Sequence, residues 1–181
     1  DVAVPIPATR NLDTSLPTWQ ANTIKLLESA IIGNKPTVAF GTPGTAKTSS
    51  VEWLAAELGY PLLRLNGYPT ATVEDLFGEW ELGSDGNPVF KPGLFVEVGQ
   101  KGGIILIDEF NFFPAKMQKV LAEFARGYHD KHVEFSIGND VVQLERNPNT
   151  RMISSANYGL LGNNPLEDDK ATPSNVIFFD E

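Results

Sequence analysis

The chain has 181 residues, of which 41% are hydrophobic, and this size supports one hydrophobic core, so we expect a single domain over residues 1–181. Its net charge of −9 argues against a surface that coats nucleic acid, and its lack of cysteine excludes disulfides and thiolate metal sites. No apolar run approaches the roughly 18 residues that span a bilayer, and the N-terminus does not resemble a signal peptide, so we predict a cytoplasmic protein.

A helix and a short strand are the first elements predicted along the chain. Thr18 can cap a helix that carries the apolar residues Trp19, Ile24, Leu27 and Ile31, and Gly33 ends it. Residues 37–40 then form a short apolar run that is typical of a buried strand. We expect the helix to pack beside this strand.

A glycine-containing loop joins this strand to a second helix, which the spacing of residues 51–58 predicts and which Gly59 ends. The loop consists of Gly41, Thr42, Pro43, Gly44, Thr45, Ala46, Lys47 and Thr48. Backbone N–H groups before a helix bind phosphate because they lack intrahelical partners and the helix dipole favours negative charge. The pattern therefore predicts a nucleotide site in which Lys47 reaches the β- and γ-phosphates and the Thr48 hydroxyl binds Mg²⁺.

Ala46 occupies the position where the usual phosphate-loop pattern has its last glycine. A positive φ at this position would make the alanine Cβ cost about 1 kcal/mol. We expect instead that Ala46 already lies in the first helical turn, where alanine is the most favourable residue. Nucleotide binding should therefore tolerate this departure from the pattern.

A strand, a hairpin and a helix are predicted after the second helix. Residues 62–65 have the composition of a strand, and residues 79–91 form a hairpin because strong turn residues occupy positions 83–88. A helix follows near residues 94–100. Turn chemistry alone leaves two possibilities for the hairpin, a plain surface feature or a contact with another protein.

Four consecutive aliphatic residues at 104–107 predict a central strand that is buried on both faces. Asp108 and Glu109 follow it directly. In a nucleotide hydrolase, the first acid binds Mg²⁺ through its water shell and the second polarises the water that attacks the γ-phosphate. Taken alone, the two acids are equally consistent with a solvated turn. The strand at 62–65, between them and the loop, fits a parallel sheet built by crossovers and favours the catalytic interpretation.

The last predicted elements are a helix, a second hairpin and a strand. Residues 117–124 carry a core-facing helical stripe, and alternating residues at 133–144 predict the hairpin. A half-apolar strand from residue 150 ends on Asn157, which should stand beside the loop because ligands bind at the carboxyl edge of open α/β sheets. Asn157 either orients the attacking water or serves only as a turn residue.

Together these motifs resemble the AAA+ ATPases, with Asn157 in the sensor-1 position. Residues 73–78 and 87–94 are similar to the segment that MoxR-type members carry before their Walker B strand, and several of these members have an alanine where Ala46 stands. The resemblance runs from about residue 19 to about residue 165. It implies a three-layer αβα P-loop NTPase fold with a central parallel sheet and inserted β-hairpins.

The same resemblance implies an activity and partners. The cofactors are ATP and Mg²⁺, with Thr48 and Asp108 at the metal and with Lys47, Glu109 and Asn157 in catalysis. The protein would work in a ring, commonly a hexamer, that remodels or activates client proteins, often with a partner that has a von Willebrand factor A domain. Because of the net charge of −9, nucleic acid is not an expected partner.

Two features of the family cannot be identified in the chain. Arg126, Arg146 and Arg151 are the only arginines after the acid pair, and none occupies the place of an arginine finger. The helical lid that follows this domain in the family, and that carries the sensor-2 arginine, cannot be identified either. We therefore expect the sequence to be a truncated or incomplete part of a longer protein. Three functions follow: a remodelling ATPase, a nucleotide-binding assembly module with little or no hydrolysis, and, disfavoured by the acidic charge, a DNA-acting AAA+ motor.

Overall fold

The computed structural model describes residues 4–8, 18–127, 130–137, 140–157 and 176–178. The helices in these ranges are α1 (Thr18–Ile32), α2 (Lys47–Glu57), α3 (Val73–Phe77), α4 (Leu94–Lys101) and α5 (Ala115–Arg126). The strands are β1 (Thr37–Gly41), β2 (Leu62–Asn66), β3 (Gly78–Leu82), β4 (Pro88–Pro92), β5 (Gly103–Asp108), β6 (His132–Ile137), β7 (Asp140–Glu145), β8 (Thr150–Asn157) and β9 (Val176–Phe178). Within the described ranges, no helix is both long enough and apolar enough to cross a membrane.

A parallel sheet with the strand order β2-β5-β8-β1-β9 forms the centre of the fold. Strands β1 and β5 are buried along their whole length, as the apolar runs at 37–40 and 104–107 predicted. Because all pairs are parallel, the carboxyl ends of these strands meet at one edge of the sheet. Strand β9, which pairs with β1, was not predicted from the sequence.

Helices cover both faces of this sheet. On β5, Ile104 and Leu106 pack with α1 and α2, whereas Ile105 and Ile107 pack with α3, α4 and α5. This division follows from the strand period of two, which sends successive side chains to opposite faces. It confirms the predicted α/β fold with three layers and a central parallel sheet.

Two antiparallel hairpins extend from the central sheet. The first pairs β3 with β4 and includes the predicted residues 79–91, and the second pairs β6 with β7. The turn of the second hairpin, at residues 138–139, lies outside the described residues. On the first hairpin, Trp80 contacts the Phe90 ring edge-on, while Leu82 is 81% exposed.

A group of three phenylalanines joins the helices on one face of the sheet. The Phe95 ring in α4 lies 4.7 Å from the Phe77 ring at the end of α3 and 4.7 Å from the Phe124 ring in α5. All three side chains are buried. Phe95 is therefore the central contact of this face.

We expect Phe95→Ala to lower the free energy of unfolding by about 3–5 kcal/mol, because it removes a buried ring and leaves a cavity between two others. Urea denaturation followed by circular dichroism measures this loss. Leu82→Ala on the exposed hairpin strand is the control and should change stability by less than about 0.5 kcal/mol. Equal losses for the two variants would contradict the central position of Phe95.

Candidate active site

The carboxyl edge of the sheet brings the three predicted motifs together. Gly41, which ends β1, is paired in register with Asn157, which ends β8. Strand β8 also pairs with β5, which ends at Asp108. The loop of residues 41–48 (here called the phosphate loop after its sequence pattern), the acid pair Asp108 and Glu109, and Asn157 therefore lie at the carboxyl ends of three neighbouring strands.

The loop enters α2 through two residues with positive φ. Gly44 has a φ of 87°, and Ala46 has a φ of 59° and a ψ of 22°. The helix begins at Lys47, and the Ala46 carbonyl accepts hydrogen bonds from the Ser50 N–H at 2.9 Å and the Ser50 hydroxyl at 2.8 Å. The prediction that Ala46 lies in the first helical turn is therefore wrong. Ala46 is the left-handed residue that turns the loop into the helix, a conformation that costs about 1–2 kcal/mol for a residue with a Cβ.

Lys47 places its ammonium group inside the loop. Its side chain is buried, and Nζ donates to the Thr42 carbonyl at 2.7 Å, the Gly41 carbonyl at 3.0 Å and the Thr45 hydroxyl at 3.3 Å. The Thr45 hydroxyl in turn donates to the Thr42 carbonyl at 2.9 Å. The loop thus surrounds a positive charge, which suits a binding site for an anion.

Asp108 is the centre of a network of hydrogen bonds at the end of β5. Its Oδ2 accepts a hydrogen bond from the Thr48 hydroxyl at 2.9 Å and from Nη2 of Arg64 at 2.6 Å, and its Oδ1 accepts one from the Ser155 hydroxyl. Burial raises the pKa of Asp108, but the hydrogen bonds from Ser155 and Thr48 and the Arg64 charge outweigh burial and hold the pKa below its ordinary value. Asp108 is therefore a carboxylate at neutral pH.

The oxygens of Thr48 and Asp108 fit the requirements of Mg²⁺. This ion takes oxygen ligands and is commonly held by one or two protein groups together with substrate phosphates. A hydroxyl and an ionised carboxylate 2.9 Å apart, at the mouth of a phosphate loop, supply such a pair. Among the described residues, no group of three or more His, Cys, Asp or Glu could hold a metal by itself, so these two oxygens are the best candidates.

Ser155 binds both members of the acid pair and was not singled out from the sequence. Its hydroxyl donates to Asp108 and accepts from the Glu109 N–H at 3.1 Å. The side chain is 2% exposed. The sequence did contain one indication of this role: Ser155 lies two residues before Asn157, so both side chains are on the same face of β8.

Arg64 is the second contact that the sequence did not reveal. It lies on β2 and donates to Asp108 through Nη2 and to Glu52 of α2 through Nη1 at 3.2 Å. In the sequence, a charged residue inside a predicted strand was only a weak indication of this contact. Arg64 reaches Asp108 because of the register that pairs Asn66 with Asp108, and the sequence does not show that register.

Glu109 leaves the strand in the left-handed conformation, with a φ of 55° and a ψ of 45°. Gly67 packs directly against it, since its N–H donates to the Asp108 carbonyl at 2.7 Å and an added Cβ would overlap the Glu109 carbonyl oxygen. Glu109 is exposed, so its carboxylate faces solvent at the sheet edge. Strained backbone of this kind is concentrated at functional sites.

Two of the arginines considered from the sequence lie at the opposite edge of the sheet. Arg146 donates to the Phe124 and Thr150 carbonyls, and burial lowers its pKa to about 10. Arg151 donates to the Ile31 carbonyl at 2.6 Å. Both side chains are buried and join structural elements at the start of β8, so neither reaches the loop.

Comparison with known protein families shows the family to which the chain belongs. The sequence model described as AAA domain (dynein-related subfamily) matches residues 37–169. The chain belongs to this family. The matched range includes the phosphate loop, the acid pair and Asn157, so the AAA+ assignment and the site geometry concern the same residues.

Individual relatives agree with this assignment. Protein MoxR of Paracoccus denitrificans is 26% identical over 146 residues, which cover 76% of this AAA+ chain and 42% of MoxR. Midasin of Dictyostelium discoideum is 27% identical over 105 residues, which cover 58% of this chain and 2% of midasin. A crystal structure of a proposed ATPase from Cytophaga hutchinsonii matches with a TM-score of 0.56 and 26% identity, over 79% of this chain and 40% of that chain.

These matches confirm the resemblance to MoxR-type AAA+ proteins. The AAA+ chain spans less than half the length of each of these three relatives.

We expect Ala46→Gly to raise the free energy of unfolding by about 1 kcal/mol, because glycine adopts a positive φ without a Cβ clash and its added freedom in the unfolded chain offsets only part of the gain. Urea denaturation measures the change. Ala122→Gly within α5 is the matched control and should lower stability by about 1 kcal/mol. Destabilisation of similar size by both changes would contradict the left-handed conformation of Ala46.

We expect Ser155→Ala to lower the free energy of unfolding by about 1–3 kcal/mol, because it removes a partner of a buried carboxylate oxygen and of the Glu109 N–H. The neighbouring Ser154→Ala, equally buried but on the other face of β8, is the control and should cost less. Thermal unfolding of the two variants side by side measures the difference, and equal costs would show that Ser155 does not support the acid pair.

Proposed function

We propose that this AAA+ chain binds ATP with Mg²⁺ and hydrolyses the γ-phosphate. The observation that carries the proposal is the hydrogen bond between Thr48 and Asp108, which joins the helix start after the phosphate loop to the end of the strand that carries the acid pair. Two motifs 60 residues apart are thereby in direct contact, and Thr48 directly follows Lys47, whose ammonium group the loop surrounds. The proposed cofactors are ATP and Mg²⁺.

Each residue has a proposed role that follows from its place. The backbone N–H groups of residues 41–48 bind the β- and γ-phosphates, and Lys47 leaves its carbonyl partners to contact the same oxygens. Thr48 and Asp108 hold Mg²⁺, which when bound neutralises charge that develops on the phosphate oxygens. Glu109, exposed at the end of β5, polarises the attacking water, and Asn157 next to Gly41 orients it or contacts the γ-phosphate.

The backbone at Glu109 supports its proposed role as the catalytic base. The left-handed conformation turns the chain away from the strand direction immediately after Asp108. The two adjacent acids can therefore act at different places in the proposed site. The Ser155 hydroxyl and the close contact with Gly67 hold this conformation. The backbone that carries the proposed base is thus fixed before the reaction begins, which limits the freedom that its side chain must lose.

Assembly into a ring is part of the proposal. The buried Arg146 and Arg151 are engaged with backbone carbonyls away from the site, so we propose that an arginine from a neighbouring subunit stabilises the transition state, in a hexamer or another ring. Remodelling or activation of a client protein, with a partner that has a von Willebrand factor A domain, is the proposed use of hydrolysis. A cytoplasmic location and a single domain over residues 1–181 stay predictions.

The same arginines support a second candidate, a nucleotide-binding assembly module with little or no hydrolysis. A chain without an arginine at the γ-phosphate would bind MgATP but turn it over slowly, since such an arginine contributes roughly 10³–10⁵-fold in related reactions. Phosphate release measured over a range of protein concentrations separates the two candidates, because a site completed by a neighbour becomes active only as the ring assembles. Added DNA tests the third candidate, a DNA-acting motor, and should leave the rate unchanged.

We expect Glu109→Gln to reduce ATP hydrolysis by about 10²-fold or more while ATP binding is kept, because the amide cannot take the proton of the attacking water. Malachite-green detection of phosphate measures the rate, and a fluorescent ATP analogue measures binding. Lys47→Ala should lose binding, and Glu123→Gln on the exposed side of α5 should match the wild-type protein in both assays. Hydrolysis that Glu109→Gln leaves unchanged would remove Glu109 from the mechanism.

A further inference from the structure

Asp108 has both carboxylate oxygens engaged by neighbouring side chains. Ser155 donates to Oδ1, and the hydroxyl of Thr48 and the guanidinium of Arg64 share Oδ2. The Arg64 contact is the shorter of the two on Oδ2, at 2.6 Å against 2.9 Å for Thr48. Oδ2, the carboxylate oxygen beside the Thr48 hydroxyl, is therefore also the one that a positively charged side chain holds.

Arg64 also has a second carboxylate within reach. Its Nη1 lies 3.2 Å from Oε1 of Glu52 on α2. The two carboxylates differ in environment, since the Asp108 side chain is 10% exposed and the Glu52 side chain is 27% exposed. The Arg64 side chain is 46% exposed, so it has room to move toward solvent while it keeps one partner.

A divalent cation at Asp108, held directly or through its water shell, competes with the Arg64 guanidinium for Oδ2, because their positive charges repel each other and both are attracted to the same lone pairs. Arginine presents several donors in a planar fork, so one half of the group can leave Asp108 while the other half stays on Glu52. Release from Asp108 therefore does not leave the Arg64 charge without a partner.

We propose that Arg64 is a latch on Asp108, which Mg²⁺ displaces when it enters with the nucleotide, and that Glu52 retains the released guanidinium. Arg64 is thus a positioning residue: it holds the carboxylate in place before the metal arrives and raises the Mg²⁺ concentration that the site requires. This inference rests on the proposed function, because it assumes that Thr48 and Asp108 bind Mg²⁺.

The latch predicts that the loss of Arg64 and the loss of Glu52 change the Mg²⁺ requirement in opposite directions. Arg64→Gln removes the competitor, so Mg²⁺ should reach Asp108 at a lower concentration. Glu52→Gln removes the acceptor of the released guanidinium, so Arg64 stays on Asp108 and Mg²⁺ should be required at a higher concentration. If Arg64 only contributed positive charge near the phosphates, its removal would weaken nucleotide binding with and without Mg²⁺, and Glu52→Gln would not oppose it.

The test is a titration of Mg²⁺ at fixed concentration of a fluorescent ATP analogue, read as anisotropy, with a parallel titration in EDTA. We expect the Mg²⁺ midpoint to fall about two- to fivefold in Arg64→Gln and to rise by a similar factor in Glu52→Gln, since ion pairs of a half-exposed arginine are weak. Arg126→Gln, which removes an exposed arginine from α5, is the charge-matched control and should keep the wild-type midpoint. Binding in EDTA should be equal in all four proteins.

A second variant covers a failure of Arg64→Gln to fold. Arg64→Lys keeps the charge but lacks the fork that contacts both carboxylates, so it should also lower the midpoint, by a smaller factor. Unchanged midpoints in both Arg64 variants, with normal wild-type binding, would overturn the latch and leave the proposed function standing. A wild-type protein that binds no nucleotide at any Mg²⁺ concentration would overturn both.

Discussion

Parallel pairing of β5, β8 and β1 is the constraint on which the candidate site depends. All three strands are buried on both faces, where polar groups are costly unless they are hydrogen-bonded; β5 is apolar up to Asp108 at its end, whereas β8 also buries Ser154 and Ser155. Parallel pairing puts the carboxyl ends of these strands at one edge, and the register places Asn157 beside Gly41. Residues that are more than 100 positions apart in the chain become neighbours through sheet geometry alone.

Asp108 converts this geometry into a connected network. Burial disfavours a charged carboxylate, and three donors from α2, β2 and β8 overcome that penalty. The same contacts tie the helix after the phosphate loop to the strand that carries the acids. The electrostatic requirement of one buried carboxylate thus aligns the parts of the site before any ligand binds.

Apolar runs and periodicity predicted the buried strands β1 and β5, the amphipathic helices and the second hairpin, because burial of a face follows the strand and helix periods. The first hairpin was predicted from its turn residues, and the three layers from the resemblance to AAA+ ATPases. The contacts of Ser155 and Arg64 were not predictable, since each depends on which residue of another strand lies opposite. Ala46 was misplaced because helix propensity describes the helix interior, whereas its φ is set by the closure of the loop onto Lys47. Strand β9 has only three residues, too few for a periodic signal.

The contact between Gly67 and Glu109 limits how this protein can be improved by engineering. Replacing a loop glycine stabilises a protein, by reducing the freedom of the unfolded chain, only where a side chain fits the native conformation. At position 67 any side chain would push against the carbonyl of Glu109 and alter the direction in which that glutamate leaves β5. A search for thermostable variants that measures unfolding alone would therefore miss the effect of a change at this position on Glu109, a residue 42 positions away.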